Sequence, residues 1–157
     1  MEKEFELKML KIGPFGVDCK YRICETDEEN VKTENEYHVK VSRPIHPDLT
    51  ALFAVDLTAI VAGILDNTQY SAELANGHCT VVPTGITFAG QNDNIGISIL
   101  GNIETKFGRI AFKTPRIKYQ TSESDVAVKM TVFAERIVEE THAYLFENKT
   151  AELEIFE

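Results

Sequence analysis

Between Thr105 and Gln120 the chain places Lys106, Arg109, Lys113, Arg116 and Lys118 with no acid among them, although its formal charge is −9. Such a run in an acidic protein is a local device, and cations in a row neutralise phosphates. Phe107, Phe112 and Tyr119 lie between the bases. Basic residues interleaved with aromatics can follow a single-stranded backbone while its bases stack. Strand alternation divides the set: Ile110 and Phe112 are expected inside, and Arg109 and Lys113 outside. A solvated strand face, or an interface to the acidic surface of another subunit, uses the same residues.

The C-terminus carries a second candidate, Glu152-Leu-Glu-Ile-Phe156. It is similar to the glutamine-leucine-x-leucine-phenylalanine peptide by which bacterial replication and repair proteins dock into the sliding clamp. Leu153, Ile155 and Phe156 match the apolar anchors, and Glu152 stands where the glutamine would be. The same residues also alternate as a closing strand with Leu153 and Ile155 on one face. Elsewhere the chemistry is sparse. Glu139 and His142 lie one turn apart on a helix, the spacing of carboxylate-bridged metal sites, but the first helix offers no matching pair. His38, His46 and His78 have no partner readable from spacing, and no catalytic triad can be assembled. Asn92-Asp93-Asn94 between glycines reads as a hairpin turn, being too short for a calcium loop. No catalytic residue, metal ligand or cofactor is therefore expected.

Behind these candidates stands a repeated layout. One unit covers residues 5–66 and a second covers 78–147, each made of alternating strands, a proline-ended strand and a helix, with a closing strand at 151–156. Phe5, Leu7 and Met9 alternate with charges, as do Val17, Cys19, Tyr21 and Ile23. An acidic loop from Glu25 to Glu36 leads to Tyr37, Val39 and Val41, and Pro44 ends that strand. Pro47 and Asp48 suit the start of a helix with Leu49, Leu52, Phe53, Leu57, Ile60, Val61 and Ile64 on one stripe. In the second unit the strands fall at 80–88, 95–99 and 108–112, followed by Pro115. The helix after Ser122-Glu-Ser-Asp125 carries Val126, Met130, Phe133, Ile137, Thr141 and Tyr144 inward.

At 157 residues, 43% hydrophobic and 26% charged, the chain is expected to form a single soluble domain over residues 1–157. Leu49 to Leu65, interrupted by Asp56 and Gly63, is read as a core helix instead of a membrane span. The start Met1-Glu-Lys-Glu has no secretory pattern, so a cytoplasmic location is expected, with Cys19, Cys24 and Cys79 reduced.

Arg43-Pro-Ile-His-Pro-Asp-Leu49, Gly85-Ile-Thr-Phe88, Ile95-Gly-Ile-Ser-Ile-Leu-Gly101, Lys113-Thr-Pro115 and Ala143-Tyr-Leu-Phe146 together give the chain a family look. In these strings it resembles small accessory proteins of tailed phages and prophages of gut bacteria. That resemblance implies an origin more than an activity. The expected fold is α+β: an antiparallel β-sheet from two β-β-β-α units, two long helices packed on it, and a C-terminal edge strand. The expected function is non-enzymatic binding that assists DNA metabolism. Lys106–Lys118 would meet single-stranded nucleic acid and the C-terminal peptide a host replication protein. An acidic inhibitor of a host protein and a structural or ligand-binding homo-oligomer are the alternatives. A homo-oligomer is expected as well, since burying both helix stripes needs one shared core or a partner subunit, and no membrane partner is expected.

Overall fold

The computed structural model describes residues 2–65, 72, 74, 76–90, 94–119 and 124–147. Period-two alternation yields β1 (Glu2–Gly13), β2 (Gly16–Thr26), β3 (Lys32–Val41), β4 (Cys79–Ala89), β5 (Gly96–Thr105) and β6 (Gly108–Lys113), with a two-residue β7 (Ile117–Lys118). They form one antiparallel sheet in the order β3-β2-β1-β4-β5-β6, and β7 continues along β5 beyond β6. The first strands of the two units meet at the centre through Met9–Thr87, Leu10–Ile86 and Lys11–Gly85, and each unit then runs outward to an edge. The fold is thus α+β, with a six-strand sheet and two helices of 19 and 22 residues on it. The closing strand expected at 151–156 lies outside the described residues.

Two local features differ from the sequence reading. A register shift between Leu7 and Met9 makes Lys8 an extra residue. Beyond this bulge the phase reverses, so Leu10 and Ile12 join Leu7 on the helix side and Met9 turns to the opposite face. Met9 is 8% exposed yet lies outside the main core cluster. The acidic loop is also shorter than expected, because Lys32–Glu36 pair with Arg22–Thr26 of β2. Ladder hydrogen bonds override the weak strand preference of Glu and Asn there. What remains is a tight turn: the Asp27 carboxylate accepts from Glu29 N at 2.9 Å and Val31 N at 2.8 Å, and Asn30 takes φ 62°.

Both helices lie on one face of the sheet. The first, α1 (Pro47–Leu65), starts where Pro47 needs no hydrogen-bond donor and His46 is extended. Its middle turn, Leu52–Leu57, is π-helical, and Thr58 Oγ1 donates to Phe53 O at 3.4 Å across the widened turn. At 19 residues and a mean hydropathy of 1.9, α1 also has the length and apolarity of a membrane-crossing helix. Here Leu49, Leu52, Phe53, Leu57, Ile60 and Val61 are spent on the core, and Ala51, Ala54, Ala59 and Ala62 face outward. The second helix, α2 (Asp125–Phe146), is capped by Ser124, whose hydroxyl accepts from Ala127 N at 3.1 Å. Met130, Phe133, Ile137, Thr141 and Tyr144 are buried as its stripe requires.

Gly16 is a packing requirement. A Cβ there would stand 1.9 Å from the Val41 carbonyl oxygen, a backbone atom of the paired strand. Gly16→Ala is expected to cost about 1–3 kcal/mol as β3 is pushed off β2, read by urea unfolding. An unchanged midpoint would refute the close approach.

Cys19 is fully buried on the helix side and Cys24 is half-buried on the other side, so the two thiols do not meet. Burial, aided by Asp18, pushes the Cys19 thiol up to about 12. The folded state keeps that proton after the unfolded chain loses it. The stabilising contribution is therefore complete below about pH 9 and is lost as pH climbs toward 12. A thiol reagent at pH 8 is expected to leave Cys19 unlabelled in native protein and to label it fully in urea; native labelling would contradict this packing.

Candidate nucleic-acid interface

With the helices on one side, strand alternation assigns the other residues to an open sheet face. Register places Lys40 beside Asp18, Asp18 beside Lys11, Lys11 beside Gly85, Gly85 beside Leu100 and Leu100 beside Lys113. One straight row thus crosses all six strands and carries three lysines. At about 4.8 Å per strand it spans roughly 24 Å. The row's one carboxylate, Asp18, is held by His38, whose Nε2 lies 2.5 Å from Asp18 Oδ1. The neighbouring row runs His38–Lys20–Met9–Thr87–Ser98, and Lys118 stands opposite Gly96 in the row beyond.

Three glycines let basic side chains lie flat on this surface. A Cβ at Gly85 would meet Lys11 Cγ at 2.9 Å, so the lysine stem crosses β4 where β4 has no side chain. At Gly96 a Cβ would meet Arg116 Cγ at 2.5 Å, and one at Gly90 would meet Arg116 Nη1 at 2.9 Å. Pro115 stands two residues beyond the end of β6 at Lys113, and Thr114 bridges the interruption. Its hydroxyl accepts from Ile99 N at 2.9 Å and donates to Pro115 O at 2.9 Å, while Thr114 N donates to Ile99 O at 2.9 Å. That junction carries Arg116 onto the open face.

The five cations read from the sequence all lie along the β6–β7 edge, but they divide into two ends. Lys113, Arg116 and Lys118 join Lys11, Lys20 and Lys40. At the far end, Arg109 pairs with Glu104 at 3.2 Å, and the Lys106 amine sits 5.1 Å from the Phe107 ring in the β5–β6 turn. The acids of this face gather at the opposite end of the strands, toward β3, where Arg22 is shared by Glu6 at 3.5 Å, Glu34 at 3.7 Å and Glu36 at 3.1 Å. Of the three interleaved aromatics, Phe107 is 89% exposed, whereas Tyr119 is 7% exposed and Phe112 is half-buried on the helix side. Ile110, expected inside, is 57% exposed because its position on the helix side lies beyond the helices' cover. It borders a cleft of about 800 Å³ with Ile103, Phe107 and Cys79.

Lys11, Lys20 and Lys40 escaped the sequence reading. Each alternates with apolar neighbours, a signal that gives its face, but nothing in the sequence gives the register that joins them to Lys113. Two histidine partners were equally hidden: His38 finds Asp18, and fully buried His46 lies 2.5 Å from Glu140 Oε2 on α2. The Glu139–His142 pair does not become a metal site. His142 packs at 5.4 Å from Phe5 and 5.0 Å from Phe146, and no group of three metal-ligating side chains occurs among the described residues. Leu153, Ile155 and Phe156 lie outside the described residues.

Fold and surface together define a two-layer α+β protein with helices on one face and an open, partly basic sheet on the other. Comparison with family models, curated proteins and solved structures finds no match to the chain.

Proposed function

We propose that this protein is a non-enzymatic nucleic-acid-binding protein that holds phosphates on its open sheet face. The observation that carries this reading is the row Lys40–Asp18–Lys11–Gly85–Leu100–Lys113, flanked by Lys20, Arg116 and Lys118. In a chain of charge −9 these cations are gathered on one part of one face, where a polyanion can approach without meeting the carboxylates of the helices. The row offers no aromatic platform, since its uncharged members are Gly85 and Leu100. Recognition through phosphates, independent of sequence, therefore fits better than base stacking.

The test is fluorescence anisotropy of the intact chain with labelled single- and double-stranded oligonucleotides from low to moderate salt. Binding with an affinity that falls steeply and log-linearly with salt supports the reading. No binding of either form at 20 mM salt overturns it.

A further inference from the structure

We propose that two copies of this chain join through their β3 edges, antiparallel about a two-fold axis at Tyr37, into one continuous sheet. β3 is ten residues long, pairs only with β2 among the described residues, and is exposed along nearly its whole length. A strand with an unpaired edge of that length is a template for another strand. The question is what its side chains accept.

A second copy of β3 fits, and one register is singled out by charge. A two-fold axis through the sheet keeps each copy's faces aligned, so even residues oppose even and odd oppose odd. Centred on Tyr37, the pairing sets Glu34 opposite the partner's Lys40 and Glu36 opposite the partner's His38. Symmetry repeats each contact, giving four opposite-charge or acid–imidazole pairs and no like pair. Moving the centre to Glu36 brings Glu36 onto itself and, twice by symmetry, Lys32 onto the partner's Lys40, three repulsive contacts. Moving it to His38 keeps Glu36 against the partner's Lys40 but leaves Glu34 opposite Ser42 and stacks His38 on itself. Glu34 and Glu36 share Arg22 within their own chain, yet both are exposed, at 57% and 73% of the side chain, so they retain room for a second cation.

The helix side of β3 agrees with this register. Tyr37 is 44% exposed and stacks on Tyr21 with ring centroids 5.1 Å apart, and Tyr21 in turn meets Phe146 at 5.6 Å. On the axis, Tyr37 faces its own copy and extends that aromatic chain across the junction. Asn35 then opposes the partner's Val39, and Thr33 opposes the partner's Val41, completing a ladder over residues 33–41. Because the axis is perpendicular to the sheet, both open faces point the same way, so the dimer presents two basic rows to one ligand.

Charge exchange tests the pairing by mass and not by nucleic-acid binding, so its outcome is independent of the proposed function. Glu34 and Lys40 are six residues apart on one strand, about 20 Å, and do not touch within a chain. Sedimentation of the intact protein should show a dimer. Glu34→Lys or Lys40→Glu alone should raise the dimer dissociation constant at least tenfold. The double exchange should restore it, which no loss of the Arg22 contact can explain. Tyr37→Cys should give a dimer cross-linked at residue 37 on mild oxidation, since opposed Cα atoms in such a ladder are about 5 Å apart. A monomer at every concentration, or a dimer indifferent to both single reversals and uncrosslinked by Tyr37→Cys, overturns the proposal. The second result would assign the contact to another surface, such as the helical face bearing Val55, Val128 and Val132.

Discussion

Replacing Lys11, Lys20, Lys113 and Lys118 together with glutamine is expected to weaken nucleic-acid binding by several hundred-fold at 0.1 M salt. All four are exposed on the open face, so their removal disturbs no core contact. The magnitude follows from counterion release: each phosphate neutralised contributes about 0.7 to the log–log salt slope for a single strand, and four lost contacts remove about 2.8. At 0.1 M salt that exponent corresponds to a factor of roughly 600. A control variant losing Lys3, Lys32 and Lys129 makes the net charge more negative without touching the rows, and should retain nearly the full slope. If the control is impaired as much as the quadruple variant, whole-molecule charge governs binding and the row does not. If neither changes, the nucleic acid lies elsewhere, and Lys106 with Arg109 beside exposed Phe107 becomes the place to look. Lys40 stays in both variants because the β3 junction also uses it.

The architecture behind this surface was legible wherever the cue was local. Alternation of Val17, Cys19, Tyr21 and Ile23 against charged neighbours is a direct imprint of one buried face. The stripe from Met130 to Tyr144 is the imprint of a helix on a sheet. Pro44, Pro47 and Ser124 act through their own backbones, so they too could be read in place. Where the determinant was a pairing, sequence was mute. The bulge at Lys8 is set by how β1 meets β2, and it exchanges Met9 for Leu10 in the core although both are equally apolar. The strand from Lys32 to Glu36 exists because β2 is long enough to hold it, with Arg22 compensating its two glutamates. The basic surface belongs to the same class: Lys40, Lys11 and Lys113 come from three strands and become neighbours in a row only through register. The run from Lys106 to Lys118 is contiguous in sequence and falls along one edge of the sheet, through the β5–β6 turn, β6 and β7, but nothing in it could reveal that its two ends meet different company.

Tyr144→Ala is expected to cost about 4–5 kcal/mol, a large share of the 5–15 kcal/mol that holds a domain of this size together. Tyr144 is fully buried at the last turns of α2, and it is the point where that helix is tied to the segment linking β3 to α1. Its hydroxyl donates to the Arg43 carbonyl at 2.8 Å, and the Arg43 guanidinium donates back to the Tyr144 carbonyl while lying 4.6 Å from the ring centre. His46, three residues on, stacks beside the same ring and reaches Glu140 one turn earlier on α2. Loss of the ring empties a cavity under this crossing and leaves buried polar groups without their neighbour, and both penalties fall on one residue. Tyr144→Phe separates them: it keeps the ring and removes one hydrogen bond, for an expected cost of about 1 kcal/mol. Urea unfolding monitored by far-ultraviolet circular dichroism measures both, and a cost below about 1 kcal/mol for Tyr144→Ala would show that the crossing does not secure α2. Because the tie lies on the helix side, folded Tyr144→Phe protein should bind nucleic acid as the native chain does. A binding defect in that variant would mean that the open face depends on how the helices are seated behind it.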